Sequence, residues 1–279
     1  MTTKTRKIAK GHPRTPALLG DRRRLNSLTD LGLPRHALLP GDPDRVTVIA
    51  GQWEDRRMVD LPRGFRAAVG TYKGARLCAV STGIGAPSLE GVFTDLANAG
   101  VDSFVRVGTT GSLHADIVTN SLIINDAAVR LDGTTPLYVR AEYPAAASWE
   151  ITQALVTAAR EAGAAHRVGT GATAGSFLAG QGRPAFGGYM SPEGERILDE
   201  MTRAGVLNFE METAALLTLA RLFGKRAGSI CSVIANRVTG EWGDEGGIAL
   251  ACRIAAEAVV ILSAGEEAAR PARPTKARK

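Results

Sequence analysis

Two rhythms alternate along this chain. Short apolar runs such as "HALLP", "ARLCAVS", "SFVRV" and "GSICSVIANR" are bounded by glycine or polar residues and are too brief for helices. They read as buried strands. Between them lie longer stretches with apolar residues at helical spacing: "PSLEGVFTDLANAG", "SWEITQALVTAAREAG" and "GIALACRIAAEAVVILSAGEEAA". The first two should stop at Gly100 and Gly163, because glycine takes the left-handed conformation that closes a helix. "HALLPGDPDRVTVIAG" predicts a strand, a tight loop and a helix, with Asp42 as cap, Pro43 at the first helical position and Asp44 in the first turn. "FRAAVGTYKGARLCAVS" predicts a hairpin turning at Lys73-Gly74, and "HRVGTGATAGS" alternates like a strand. "SFVRVGTTGS" reads as a strand followed by a glycine-rich loop over residues 108–111. Strands alternating with helices predict an α/β fold of three layers, α/β/α, with helices on both faces of a central sheet.

Composition narrows this picture. Apolar residues make up 44% of the 279, enough for a sizeable core, but aromatics are only 5%, so the core must be built from Ala, Val, Leu and Ile. Uninterrupted apolar runs of 18 or more residues are absent from the sequence, so no membrane span is expected. The charged N-terminus "MTTKTRKIAKGHPR" is not followed by an apolar segment, unlike a secretory signal. Cys78, Cys231 and Cys252 lack metal-like spacing and read as core residues in a reducing cytoplasm.

The net charge of +6 comes from the ends. Lys4, Arg6, Lys7, Lys10 and Arg14 begin the chain, and Arg270, Arg273, Lys276, Arg278 and Lys279 end it, with no acid among them. Taking those ten from the 34 basic residues leaves fewer bases than the 28 acids. The expectation is one domain over residues 21–268 between basic, disordered tails at 1–20 and 269–279. The tails could attract nucleic acid weakly, but no specific nucleic-acid partner is expected.

Several strands end in glycine or polar residues: Gly41, Thr82-Gly83-Ile84-Gly85, the run from Gly108 to Gly111, and Asn236-Arg237. Ligands of open α/β sheets bind beyond the carboxyl ends of strands, where glycine lets backbone N–H groups approach an anion. Arg45 follows Gly41 by one helical turn, and Arg106 stands inside an apolar strand two residues before Gly108. A buried guanidinium needs a partner. Either a structural carboxylate supplies it, or an anion such as phosphate does, with Thr109 adding a hydroxyl; the anion reading is preferred. In "NFEMETAALLTLARLFG" two glutamates, Glu210 and Glu212, stand where a strand gives way to an apolar helix. Acids there suit the helix dipole, but one would suffice. The other can point a carboxylate into a pocket.

At these residues the chain resembles a known family. "PGDPDRV", "STGIGAPS", "VRVGTTGSL", "VRLDG", "GQGR", "NFEMETAALL" and "VIANR" look like the motifs of nucleoside phosphorylases with the hexameric fold, most of all those that cleave uridine. The likeness spans roughly residues 37–264 and implies a mixed central sheet. It further implies that phosphate is held by Gly41, Arg45, Arg106 and Thr109, with Arg63 reaching a neighbouring subunit's phosphate in a homo-oligomer, a hexamer. Ribose would lie against the segment of Glu210, Met211 and Glu212, with Glu212 accepting from the 2′- and 3′-hydroxyls and Glu210 supporting either the loop or the sugar. Gln181 and Arg183 would hold O2, N3 and O4 of the base, and Arg237 would stand near O4 in the loop where purine-cleaving relatives carry an aspartate. Arg106, Gln181, Arg183 and Glu212 would carry the catalysis. Phe177, four residues before Gln181, is either a wall of the base pocket or a core aromatic.

Two departures stand out. Neither His12 nor His36 aligns with the histidine that holds the ribose 5′-hydroxyl in the family, and His36 reads as strand-adjacent. Gly64 replaces a glutamate that binds a monovalent cation in some relatives, although Ile84 and Ser88 match, so that cation site is expected to be missing. His114 and His166 read as surface or loop residues. The resemblance implies reversible phosphorolysis of uridine to uracil and ribose 1-phosphate, with no cofactor and no metal, phosphate being a co-substrate. A modified pyrimidine nucleoside or a deoxynucleoside is the alternative substrate. A catalytically silent nucleoside- or nucleic-acid-binding protein is the reading from another class.

Overall fold

The computed structural model of the chain describes residues 32–244 and 246–269. The N-terminal tail, His12, residues 21–31 of the expected domain, and all of the C-terminal tail except Ala269 lie outside the described residues.

Chain order follows the expected alternation. Strand β1 (His36–Pro40) leads through a tight loop into helix α1 (Pro43–Ala50), where the Asp42 carboxylate accepts the Asp44 N–H at 2.8 Å. Strand β2 (Glu54–Asp60) precedes the hairpin of β3 (Arg66–Tyr72) and β4 (Ala75–Val80), which turns at Lys73-Gly74. Helix α2 (Ala86–Asn98) is followed by β5 (Ser103–Ser112), β6 (Leu122–Leu131), the short β7 (Ala145–Ala146) and α3 (Trp149–Glu161). Next come β8 (His166–Ala174), α4 (Pro192–Arg203), β9 (Asn208–Glu210), α5 (Thr213–Leu222), β10 (Arg226–Asn236) and α6 (Gly247–Ala268).

All strands belong to one mixed sheet. β1 pairs in parallel with β4 and β5, and β3 and β2 extend that arm in antiparallel fashion. β2, "EDRRMVD", is the outer strand of that arm, and its charges suit an exposed edge. On the other side the pairings run from β5 to β10, β6, β8 and β9, and β9 pairs back onto β5, closing a ring of five strands.

The ring corrects one expectation. The run from Gly108 to Gly111 is not a loop, because β5 continues to Ser112. β10 pairs beside it in parallel, Cys231 opposite Gly108 and Ser232 opposite Thr109, and β9 pairs at Gly111 and Ser112. Distant neighbours supply the ladder bonds that keep a glycine-rich segment extended.

Side-chain alternation then sorts the core into two layers. Leu38, Val105 and Ile230 face α1, α3 and α6. Ala37, Leu39 and Phe104 face α2 and α5. Arg106, two residues after Phe104, falls on the α5 side. By length and composition α6 could cross a membrane. Half of its apolar window is buried, against α3, β5 and β10, and it carries Arg253 and Glu257, so it serves here as a core helix. The three cysteines are free and buried.

Candidate active site

A cavity of about 700 Å³ lies past the carboxyl end of β1, along residues 106–111 of β5 and against Ile234 and Ala235 near the end of β10. It is lined by Gly41, Arg45, Arg63, Arg106, Thr109, Phe177, Gln181, Arg183, Glu210, Met211 and Glu212, residues drawn from most of the length of the chain.

At its floor Arg106 is 4% exposed. Its Nε donates to Glu210 Oε2 at 2.8 Å, and its Nη2 lies 2.5 Å from Glu212 Oε2. Burial works against its charge, but Glu212 and Glu210 more than reverse that, so its pKa is raised. Both readings of Arg106 therefore meet in one residue: it has structural carboxylates, and it also faces the cavity. A guanidinium has five N–H donors, more than these two contacts use. Gly108 is required here. A Cβ at that position would lie 2.8 Å from Arg106 Nη2 and 2.9 Å from Cys231 Sγ, so only glycine lets the guanidinium fold over the strand.

Arg45 stands beside Arg106 with Nη1 donating to the Val107 carbonyl at 3.1 Å. Burial, then the charge of Arg106, lowers its pKa, and no carboxylate among the described residues forms an ion pair with it. Arg45 thus has no ion-pair partner of its own among the described residues, and its guanidinium beside the spare N–H donors of Arg106 suits a bound anion. Gly41 faces the Gly83 loop closely, and the Gly83 N–H donates to the Gly41 carbonyl at 2.9 Å.

The two glutamates divide their work. Glu210 Oε2 accepts the backbone N–H groups of Glu212 and Thr213, both at 2.8 Å, and thus caps α5 as well as holding Arg106. Its Oε1 accepts the Thr173 hydroxyl. Glu210 thus accepts from four protein groups, whereas Glu212 meets only two, the Gly85 N–H and Arg106, so Glu210 suits support of the loop and Glu212 keeps spare acceptor capacity toward the cavity. Glu212 accepts the Gly85 N–H with Oε1 and faces the cavity. Burial raises its pKa, while Arg106 acts the other way.

Of the cavity's other polar groups, Gln181 is buried and Arg183 is half-buried. Phe177 is 51% exposed and borders the cavity, so it is a wall and not a core aromatic. Its ring lies 4.9 Å from the Arg183 guanidinium carbon. Arg237 does not line the cavity. It packs across Gly111 behind Arg183, with Nη2 3.5 Å from the Gly182 carbonyl. Burial and the charge of Arg183 lower its pKa to about 10. Arg63, read as serving a neighbouring chain, borders this chain's own cavity. His36 is buried at the opposite end of β1, with Nδ1 2.6 Å from the Ser103 hydroxyl. Among the described residues no cluster of three acidic, His or Cys side chains could hold a metal ion.

Sequence reasoning missed Trp242 and Phe65, which also line the cavity. The signal for Trp242 was its place in "TGEWGDEGG", an aromatic amid turn residues just after Asn236-Arg237.

The family model described as "Phosphorylase superfamily" matches residues 35–262. The chain belongs to this superfamily. A uridine phosphorylase from Thermococcus kodakarensis is 46% identical over 233 residues, covering 84% of each chain. A uridine phosphorylase from Escherichia coli is 37% identical over 74% of this chain and 81% of its own. A guanosine phosphorylase from Halorubrum lacusprofundi is 34% identical over 73% of this chain and 79% of its own. The superfamily match thus spans every strand and all but the end of α6.

Proposed function

We propose that this superfamily member catalyses the reversible phosphorolysis of uridine, as a pentosyltransferase. The observation that carries the reading is that one cavity gathers two sets of groups: Arg45 and Arg106 with the Glu212 carboxylate against Arg106, and Gln181 and Arg183 with Phe177 against Arg183. The two uridine phosphorylases above support it.

On this reading phosphate lies on Arg45, Arg106, Thr109 and the Gly41 backbone. One of its oxygens bonds to C1′ as the C1′–N1 bond breaks. Positive charge develops on the ribose, as in other glycosyl transfers. Glu212 and the phosphate stabilise it, and Glu212 accepts from the ribose hydroxyls above Met211. Glu210 keeps Arg106 and the start of α5 in place. The departing electron pair spreads over uracil O2 and O4. Gln181 donates to O2 and accepts from N3–H, and Arg183 donates toward O4 with Arg237 behind it. Products are ribose 1-phosphate and uracil, whose N1 takes up, through solvent, the proton that hydrogen phosphate gives up. Phosphate is the only co-substrate and no cofactor takes part.

The working unit is a homo-oligomer, a hexamer, and the setting is pyrimidine salvage in the cytoplasm. The resemblance of the motifs supports the first, and three buried free thiols suit a reducing compartment. Incubating the protein with uridine, thymidine, cytidine, inosine, adenosine and guanosine, with and without phosphate, tests the function. Phosphate-dependent release of uracil, faster than that of any other base, is expected. Faster purine release would overturn the base assignment.

A further inference from the structure

Trp242 is 63% exposed, yet its loop is fastened on both sides. The Thr119 hydroxyl donates to Glu241 Oε1 at 2.6 Å, and Asn120 Nδ2 donates to Asp244 Oδ1 at 2.7 Å. Backbone bonds add to this: Asn236 N–H to the Glu241 carbonyl at 2.8 Å and Gly243 N–H to the Ile234 carbonyl at 2.9 Å. Asn236 Oδ1 accepts from the N–H groups of Val238 and Thr239 at 2.9 and 3.0 Å. A large exposed aromatic held this firmly implies that its position matters.

What Trp242 meets is Arg183. The guanidinium carbon lies 5.8 Å from the Trp242 ring and 4.9 Å from the Phe177 ring. Arg183 Nε is buried and has no hydrogen-bond partner, and burial lowers its pKa. Among the described residues no carboxylate pairs with Arg183, and the two aromatic rings flank its guanidinium. A guanidinium has a directional fork, and discrimination between a carbonyl and an amino group on a ring depends on where that fork points.

We propose that Trp242 is a positioning residue that sets base selectivity, by holding the Arg183 fork against Phe177 at the base end of the cavity. The 114–121 loop, through Thr119 and Asn120, sets the place of Trp242 in turn. This rests on the base-end assignment given above, and its test separates the two. Without Trp242 the Arg183 side chain keeps its charge but gains freedom to swing, so selectivity suffers more than turnover.

The experiment compares wild type, Trp242→Ala, Trp242→Phe and Thr119→Val on uridine, cytidine and inosine, with melting temperature and oligomeric state as controls. The wild-type ranking alone decides the base-end assignment. The variant-to-wild-type ratios, taken on whichever nucleoside turns over best, decide the role of Trp242. Trp242→Ala should raise KM for that nucleoside about five- to thirtyfold, the range of a partly desolvated cation–π contact, with kcat within about threefold. The margin over the next-best base should shrink by a similar factor. Trp242→Phe should recover most of both, and Thr119→Val should show a weaker loss of the same kind. Unchanged KM and margin in a folded Trp242→Ala protein would overturn the proposal. So would a loss confined to kcat, or a loss that Trp242→Phe does not repair.

Discussion

Arg106 on β5 and Glu212 at the start of α5 form a buried ion pair, Nη2 to Oε2 at 2.5 Å, and Glu210 closes the same guanidinium from Nε. One cation therefore holds two buried carboxylates that would otherwise repel each other. This makes Arg106 a structural residue and a site residue together. Arg106→Ala should lower kcat/KM by about 10²-fold or more, through loss of a charge-assisted phosphate contact. It should also lower stability by about 3–5 kcal/mol, because two buried acids lose their partner. Chemical denaturation and steady-state kinetics on the same preparation check both. Activity within about threefold of wild type would rule out the phosphate role.

Glu210 and Glu212 should separate by what they damage. Glu210→Gln loses charge at a helix cap and at Arg106, so its main effect should be on melting temperature. Glu212→Gln should lower kcat/KM for uridine by about 10²-fold. It should cost 2′-deoxyuridine less, since one of its ribose partners is already missing from that substrate. Equal losses on both substrates would remove the 2′-hydroxyl from the contacts of Glu212.

The pH profile follows from the direction of the Glu212 shift. Burial raises its pKa above the ordinary glutamate value, with Arg106 acting against it. The working form is ionised, so activity should be full above the raised pKa and fall as pH drops through it. That acid limb should therefore stand above the ordinary value of about 4.3. Stability has the opposite sign: the contribution of Glu212 is present below its ordinary pKa and is lost as pH rises through the raised one. Glu212→Gln should remove the limb, and an unchanged limb in that variant would assign it elsewhere.

On the proposed reading, Gln181 and Arg183 set base choice. Gln181 and Arg183 match a ring edge bearing O2, N3–H and O4. Cytosine presents an unprotonated N3 and an amino group, leaving these partners mismatched at a cost of about 1–3 kcal/mol per group. Uridine should be cleaved at least about a hundredfold faster than cytidine or inosine. Release of each base, followed side by side, measures the ratio.

Arg63 offers a test of how chains share sites. Its backbone is left-handed, φ 64°, and it borders this chain's own cavity, whereas the family resemblance assigns it to a neighbour's. On the shared-site proposal, mixed oligomers of Arg63→Ala and Arg106→Ala subunits should recover part of the activity, because intact pairs form across the interface. If each Arg63 serves its own chain, every site in the mixture lacks one arginine and no activity returns.

Local chemistry wrote much of the fold into the sequence. The Asp42-Pro43 cap, the Lys73-Gly74 turn, with φ of 47° and 82°, and the left-handed Gly100 and Gly163 each depend on a few adjacent residues, and each stands where the sequence put it. The cavity residues were legible because several sit next to glycines at strand ends or in the Glu-Met-Glu segment. Tertiary structure decided the rest. The length of β5 came from β9 and β10, which lie about a hundred residues or more along the chain, and no local rule reports a partner at that distance. The family resemblance pointed Glu212 at the sugar, but local chemistry could not say which of Glu210 and Glu212 would turn inward to cap α5. That depended on the backbone from residue 210 to 213 and on the Thr173 hydroxyl from another strand. Trp242 stood out in the sequence only as an aromatic amid turn residues, and its place at Arg183 is set by Thr119 and Asn120, more than a hundred residues earlier. Caps and turns are local energies, written in neighbouring side chains. Strand length, the division of labour between two acids and the wall of a pocket are energies of contact between distant segments, and these exist only once the chain has folded.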